Sequence, residues 1–160
     1  MALHKTKIDL SADQREKLIG MLNASLADAS DLKSQAKQAH WNVKGMSFIA
    51  LHELFDGVAT AVEGHIDLIA ERITTLGGTA MGTVRLAAEN SRLTEYPHEI
   101  TDGASHVDAL SSALSDFGKI IRKNIDESGD LGDQDTADLF TEISREIDKQ
   151  LWFVEAHIQA

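Results

Sequence analysis

The chain has no cysteine. That excludes a disulfide framework and thiolate chemistry, so any metal must be held by nitrogen and oxygen ligands. It has one proline, Pro97, and only 5% aromatic residues. Alanine, leucine, isoleucine, aspartate and glutamate dominate instead, a composition that argues for an all-α fold. No apolar run is long enough for a signal peptide or a membrane span, and the expected location is the cytoplasm. Positive charge is scarce as well: 15 basic against 26 acidic side chains give a net charge of -11. Such a balance repels nucleic acid unless basic groups are concentrated locally. At 160 residues the chain suits one domain with a substantial core.

The periodicity divides the chain into four long helical stretches. Ser11 to Gln14 reads as a capping box, and a helix follows to about Val43. Its stripe is Leu18, Leu22, Leu26, Ala29, Leu32, Ala36 and Val43. Gly45 breaks the pattern, and a second helix spans 48 to 76 until Gly77-Gly78 closes it. Residues 79 to 101 are too long a connection for adjacent antiparallel helices; they can cross the bundle, with a short helix near Thr83 to Asn90. A third long helix runs from about Asp102 to Asp126, with Val107, Leu110, Leu114, Phe117 and Ile121 as its stripe. Residues 127 to 132 read as a turn, and a fourth helix runs from about Asp133 or Asp135 to Ile158. Residues 1–10 read as a flexible tail bearing His4, Lys5 and Lys7, and 11–160 as the single domain.

The second helix carries the chemistry. Taking His52 as zero on the wheel at ~100° per residue, Asp56 falls near ~40°, Asp67 near ~60° and Glu71 near ~100°. Leu51, Leu54, Phe55, Val58, Val62, Ile69, Ile73 and Leu76 occupy a different arc and face the core. His52 and Asp56 are one turn apart, as are Asp67 and Glu71, but roughly 17 Å of helix separates the pairs. One metal ion cannot bridge that distance. An antiparallel second copy can: both His52/Glu71 and Asp56/Asp67 have their midpoint between Ala61 and Val62. A two-fold axis there brings the first pair of one chain beside the second pair of the other, twice per dimer. Gly57, Ala61 and Gly64 are small enough for close helix approach. His40, on the preceding helix, can turn to the same place. The plain alternative is a solvated helix face. Two histidines and three carboxylates suit iron, manganese or zinc. Glu63 lies on the same face as a possible auxiliary ligand; His65 lies on the apolar arc and reads as packing.

The residues HWNVKGMSFIALHELFD, followed by IDLIAERI, resemble the signature of the Dps family, the miniferritins of the ferritin-like superfamily. The resemblance runs from about residue 8 to the C-terminus, and the spacing His-x11-His-x3-Asp-x10-Asp-x3-Glu matches at every position. It implies a ferritin-like four-helix bundle in a twelve-subunit hollow shell. It also implies an inter-subunit di-iron ferroxidase centre in which His40, His52 and Asp56 of one chain meet Asp67 and Glu71 of its two-fold mate. Trp41 matches a tryptophan near that centre, a one-electron donor or a packing residue. Hydrogen peroxide, or oxygen, is the implied oxidant, and ferric mineral the stored product. The family likeness further implies that the acidic cluster Asp133, Asp135 and Asp138, with Asp130 less central, lines three-fold pores for Fe²⁺ entry. The bland reading of that cluster is a complement to the helix dipole.

Two other features bear on function. Glu95-Tyr-Pro-His98 matches the Glu-x-x-His ligand motif of ferritin-like bundles, but Pro97 argues against a regular helix there. No other Glu-x-x-His exists, which counts against a di-iron site within one chain. The alternative function is DNA compaction through the basic tail, as lysine-rich tails serve in some relatives, with nucleoid association. Against it stand a thin arm and the acidic balance.

Overall fold

In the computed structural model, which describes residues 3–159, Ser11 starts the first helix as the sequence predicts. Its hydroxyl accepts from the Gln14 N–H at 3.3 Å, and the Gln14 side chain accepts from the Ser11 N–H at 2.9 Å. Helix α1 (Ala12–Asn42) ends where Val43 turns extended, and Gly45 takes φ +111°, a conformation that favours glycine. Helix α2 (Phe48–Thr75) returns antiparallel across this short connection and is closed by Gly77 at φ +86°. Gly78 is required for a different reason: a Cβ there would lie 2.9 Å from Ile19. Then come the short α3 (Val84–Asn90), α4 (Gly103–Asp130) and α5 (Gln134–Glu155). There are no strands among the described residues.

The helices pair as two hairpins, α1 with α2 and α4 with α5, and the 76–102 crossover joins them. The predicted stripes meet in one core. Phe55, Phe117 and Phe140 sit fully buried at its centre, among Leu18, Leu22, Leu26, Leu32, Leu110 and Leu114. Each such side chain contributes about 1.5–3 kcal/mol of burial. Ion pairs and hydrogen bonds lash the crossover down. Asp28, fully buried on α1, accepts from the Arg92 N–H at 2.7 Å and from the Arg92 guanidinium at 2.6 Å. A buried carboxylate survives only with such partners.

Three sequence expectations are corrected. Helix α4 runs on to Asp130, so the expected turn at 127–132 shrinks to its last residues. Ser128 is fully buried with its hydroxyl on the Asn124 carbonyl at 2.7 Å, and the chain reverses only where Gly132 takes φ +80°. Gly129 is therefore helical. Helix α5 stops at Glu155, short of Ile158, and tightens into i→i+3 bonds from His157 to Val154 and Ile158 to Glu155. Of the expected tail, positions 1 and 2 lie outside the described residues, and 3–10 are not a loose arm. His4 donates its N–H to the Gly77 carbonyl at 2.8 Å, and Arg15 reaches both the His4 and Leu76 carbonyls. Leu3 and Leu10 pack against the core, while Lys5 and Lys7 stay exposed.

Candidate metal centre

The α1–α2 connection brings His40, at the end of α1, against His52, in the second turn of α2. The rings stack at 3.7 Å between centroids, 21° from parallel. Each Nδ1 bonds the other residue's main-chain carbonyl: His40 Nδ1 to His52 O at 2.6 Å, His52 Nδ1 to His40 O at 2.8 Å. A carbonyl only accepts, so both Nδ1 atoms carry hydrogen. In the neutral rings the Nε2 lone pairs are then the free coordinating atoms, oriented by main chain on both sides. Outer-shell bonding of this kind is how metal-binding histidines are fixed in one tautomer.

Asp56 lies one turn beyond His52. The hydrogen bond from Lys37, at 2.5 Å, holds its carboxyl below the usual range; burial opposes this, and the charge of Lys37 adds to the lowering. Lys37 also lies 5.7 Å above the Trp41 ring, and Trp41 is itself 66% exposed. Further along α2, Asp67 and Glu71 are exposed. Neither makes a salt bridge among the described residues, whereas Glu63 on the same face is held by Lys33 at 2.5 Å. Gly57 and Gly64 between the pairs are exposed, with open space where a Cβ would stand. No group of three or more His, Asp or Glu gathers closely enough to hold a metal among the described residues of one chain. The geometry thus joins His40, His52 and Asp56 into one neighbourhood without closing a coordination shell, and leaves Asp67 and Glu71 apart.

The remaining candidates separate clearly. His65 is 7% exposed and faces Glu142 and Glu146 of α5. Burial pushes its pKa down, the two glutamates opposing, and neither ring nitrogen has a partner among the described residues. His98 and Glu95 form an exposed pair at 3.1 Å outside any helix. Asp133 is only 4% exposed. It caps α5, bonds the Thr136 hydroxyl, and takes both its oxygens to Arg72 at 2.8 Å. Its burial raises its pKa, but the Thr136 and Arg72 contacts outweigh that and the carboxyl sits below the usual range. Asp133 is thus an inter-helix clamp rather than a solvent-facing pore carboxylate; Asp135 and Asp138, like Asp130, are exposed.

Lys37 at Asp56, Arg72 at Asp133, and the buried Tyr96–His106 hydrogen bond at 2.7 Å went unread in the sequence. Each crosses between elements, and a single helical wheel carries no signal for it. The one available hint was Lys37 itself, a turn before His40 on the same face of α1.

Several known proteins are similar to this chain. Residues 19–160 match the family model of the ferritin-like domain. The chain is 48% identical over 159 residues to a "DNA protection during starvation protein" of Agrobacterium fabrum, covering 99% of this chain and 98% of that one. Among solved structures, DpsC from Streptomyces coelicolor superposes with a TM-score of 0.94 at 31% identity, covering 99% of this chain and 93% of the other. A DPS protein from Vibrio cholerae, described as a member of a broad superfamily of ferritin-like diiron-carboxylate proteins, superposes at 0.90 with 28% identity and 99% of both chains covered. The chain therefore belongs to the ferritin-like family and, within it, to the Dps (DNA protection during starvation) proteins.

Proposed function

We propose that this protein is a ferroxidase and iron-storing miniferritin. Its substrate is Fe²⁺, bound at centres shared across a two-fold axis, with His40, His52 and Asp56 from one subunit and Asp67 and Glu71 from the other. The observation that carries this reading is the reciprocal His40–His52 arrangement. It offers two lone pairs on the face of α2 that also bears Asp56, Asp67, Glu71 and the bare Gly57 and Gly64. The imidazoles supply neutral nitrogen, and the carboxylates supply negative charge that stabilises Fe³⁺ over Fe²⁺. Two irons can occupy each centre, with Glu71 between them. Two Fe²⁺ each give one electron to hydrogen peroxide, which takes up two protons and leaves as two waters. This removes iron and peroxide together; oxygen is the alternative oxidant. Trp41, whose ring lies 5.7 Å from the Lys37 Nζ that holds Asp56, is the proposed single-electron donor, with simple packing as the alternative role.

Assembly into a dodecameric shell, with ferric product stored inside, follows from the same reading. Exposed Asp135 and Asp138 then serve as pore carboxylates that concentrate Fe²⁺. DNA compaction is the weaker reading. It needs a basic arm free to leave the surface, and residues 3–10 are tied down at His4 and Leu3. We therefore assign protection to iron chemistry in the cytoplasm. The test is anaerobic Fe²⁺ loading followed by peroxide, on wild type and Asp67→Ala, with particle mass recorded on both. Rapid oxidation in a large particle, lost in the variant at unchanged mass, is the expected result; equal oxidation in both overturns the proposal.

A further inference from the structure

One buried polar pair has no part in the function proposed above. Tyr96, on the crossover, and His106, near the start of α4, are 5% and 1% exposed. The Tyr96 hydroxyl lies 2.7 Å from His106 Nδ1, and the two rings run 18° from parallel with centroids 6.0 Å apart. A buried phenol needs an acceptor, and Tyr96 has no other hydrogen-bond partner among the described residues. The hydroxyl therefore donates to Nδ1. The neutral ring then carries its own hydrogen on Nε2, which is buried without a partner. Burial pushes the Tyr96 phenol up, so it does not ionise by itself. Burial also pushes His106 down, against the charge of Asp102 and the carbonyls of Asn42 and Ile100, so the ring stays a neutral base. The pair is bordered by neighbours of the metal centre. Asn42 follows Trp41, and Phe55, whose ring centroid is 6.4 Å from that of His106, precedes Asp56. Trp41 and Tyr96 line one groove between α1 and the crossover.

From this we infer that Tyr96 and His106 form an internal one-electron donor that re-reduces an oxidised Trp41. The Tyr96 O–H bond breaks. Its electron goes to the Trp41 indole radical cation, and its proton crosses to His106 Nδ1. Trp41 returns to its neutral form, and a neutral tyrosyl radical is left beside an imidazolium. Moving both particles avoids a phenol radical cation in a dry site, where an unpaired charge is costly. The imidazolium is the charge that Asp102 and the Asn42 and Ile100 carbonyls already favour. The inference rests on the ferroxidase reading for its oxidant. Hydrogen peroxide takes up two electrons and two protons to become two waters, but a single bound Fe²⁺ supplies only one electron. One-electron reduction alone would release a hydroxyl radical. Trp41 gives the second electron and Tyr96 restores Trp41, so the oxidation ends in a buried pair and not on a side chain that is 66% exposed.

The first test needs no metal. Trp41 is photoionised by a laser flash in the metal-free assembled protein, in a Trp152→Phe background where it is the only tryptophan. A scavenger removes the ejected electron. Tyr96 is the only tyrosine, so tyrosyl absorption reports it alone. The tryptophan radical should decay as the tyrosyl radical grows, and the transfer should slow in D2O because a proton moves with the electron. Tyr96→Phe keeps the ring and its packing, and in it the tryptophan radical should persist. His106→Gln should slow the transfer about a hundredfold, the lower end of what a positioned proton acceptor contributes. Equal decay of the tryptophan radical with and without Tyr96→Phe, or a transfer indifferent to D2O, overturns the inference while the ferroxidase reading stands. The second test adds one Fe²⁺ per centre and then peroxide to the same proteins, read by electron paramagnetic resonance. A tyrosyl signal is expected with Tyr96 present and not in Tyr96→Phe; its absence from both overturns the inference. Fe²⁺ oxidation equal in wild type and Asp67→Ala overturns the ferroxidase reading instead, and leaves the metal-free transfer untouched.

Discussion

Helix α2 carries a pair of candidate ligands at each end, and the two pairs live in opposite circumstances. At the first end, His52 and Asp56 are held by their own chain: the ring by the His40 carbonyl, the carboxylate by Lys37. At the second end, Asp67 and Glu71 project from the same helix, exposed and with no salt bridge among the described residues. A purely structural helix face has no need of the first arrangement, and a centre contained in one chain has no use for the second. On the proposed reading, one half is organised in advance and the other is left for a partner to complete. Immediately beside Glu71 the contrast recurs at residue scale. Arg72, one position on and turned inward, is spent on Asp133 and Thr136.

The sharpest way to break this comparison is therefore to separate neighbours. Arg72→Met leaves Asp133 a nearly buried carboxylate without its cation and should cost about 3–5 kcal/mol of stability, read by denaturant unfolding. Glu71→Ala should do the reverse. Oxidation of Fe²⁺ should fall about 100-fold or more, a loss of roughly 2.7 kcal/mol in barrier terms, with the unfolding midpoint within a few degrees of wild type. If Glu71→Ala unfolds the protein instead, the second end is structural and the comparison fails.

Acid sharpens the Arg72 side of it. Asp133 has a folded-state pKa below its unfolded value of about 3.9, so its contribution is complete above that value and is lost as pH falls through the lower folded-state value. Thermal unfolding of wild type should lose this contribution below about pH 4. Asp133→Asn should be less stable at neutral pH and show a flatter acid limb; an identical acid limb would contradict the clamp. A smaller effect is expected midway between the two ends. Gly64→Ala, in an exposed helix interior with open space around the new methyl, should stabilise the isolated subunit by about 0.5–1 kcal/mol. Any loss of particle mass in that variant would mark the face as a helix contact. Smallest of all, Lys33→Gln removes an exposed ion pair and should change stability by less than about 1 kcal/mol in an unfolding assay.

Much of this was legible in the sequence because it is periodic. The stripe of α1, from Leu18 to Val43, is buried at every predicted position, and so is that of α4 from Val107 to Ile121. The Ser11–Gln14 box, the stop at Gly77 and the short helix in the crossover were readable from local residues. The wheel also placed His52, Asp56, Asp67 and Glu71 on the polar side, away from the apolar arc. What escaped was whatever depends on a second element. Residues 127 to 132 read as a turn because the burial of Ser128, inside α4, is a tertiary fact. The N-terminal segment escaped for the same reason. Leu3 and His4 read as a loose end because their partners, the core and Gly77, lie far along the chain. Asp133 read only as a helix cap or one of the acidic cluster because Arg72 is distant in sequence.

The central claim, a centre divided between two subunits, is tested most directly by mixing two defective chains. His40→Ala/His52→Ala chains and Asp67→Ala/Glu71→Ala chains would each be assembled alone, then unfolded together and co-assembled at equal ratio, and Fe²⁺ oxidation by peroxide measured. Each pure assembly should be inactive. In the mixture, about a quarter of the centres should draw intact histidines from one chain and intact carboxylates from the other, and activity should return to about a quarter of wild type. Mixed particles no more active than their parents would contradict the account.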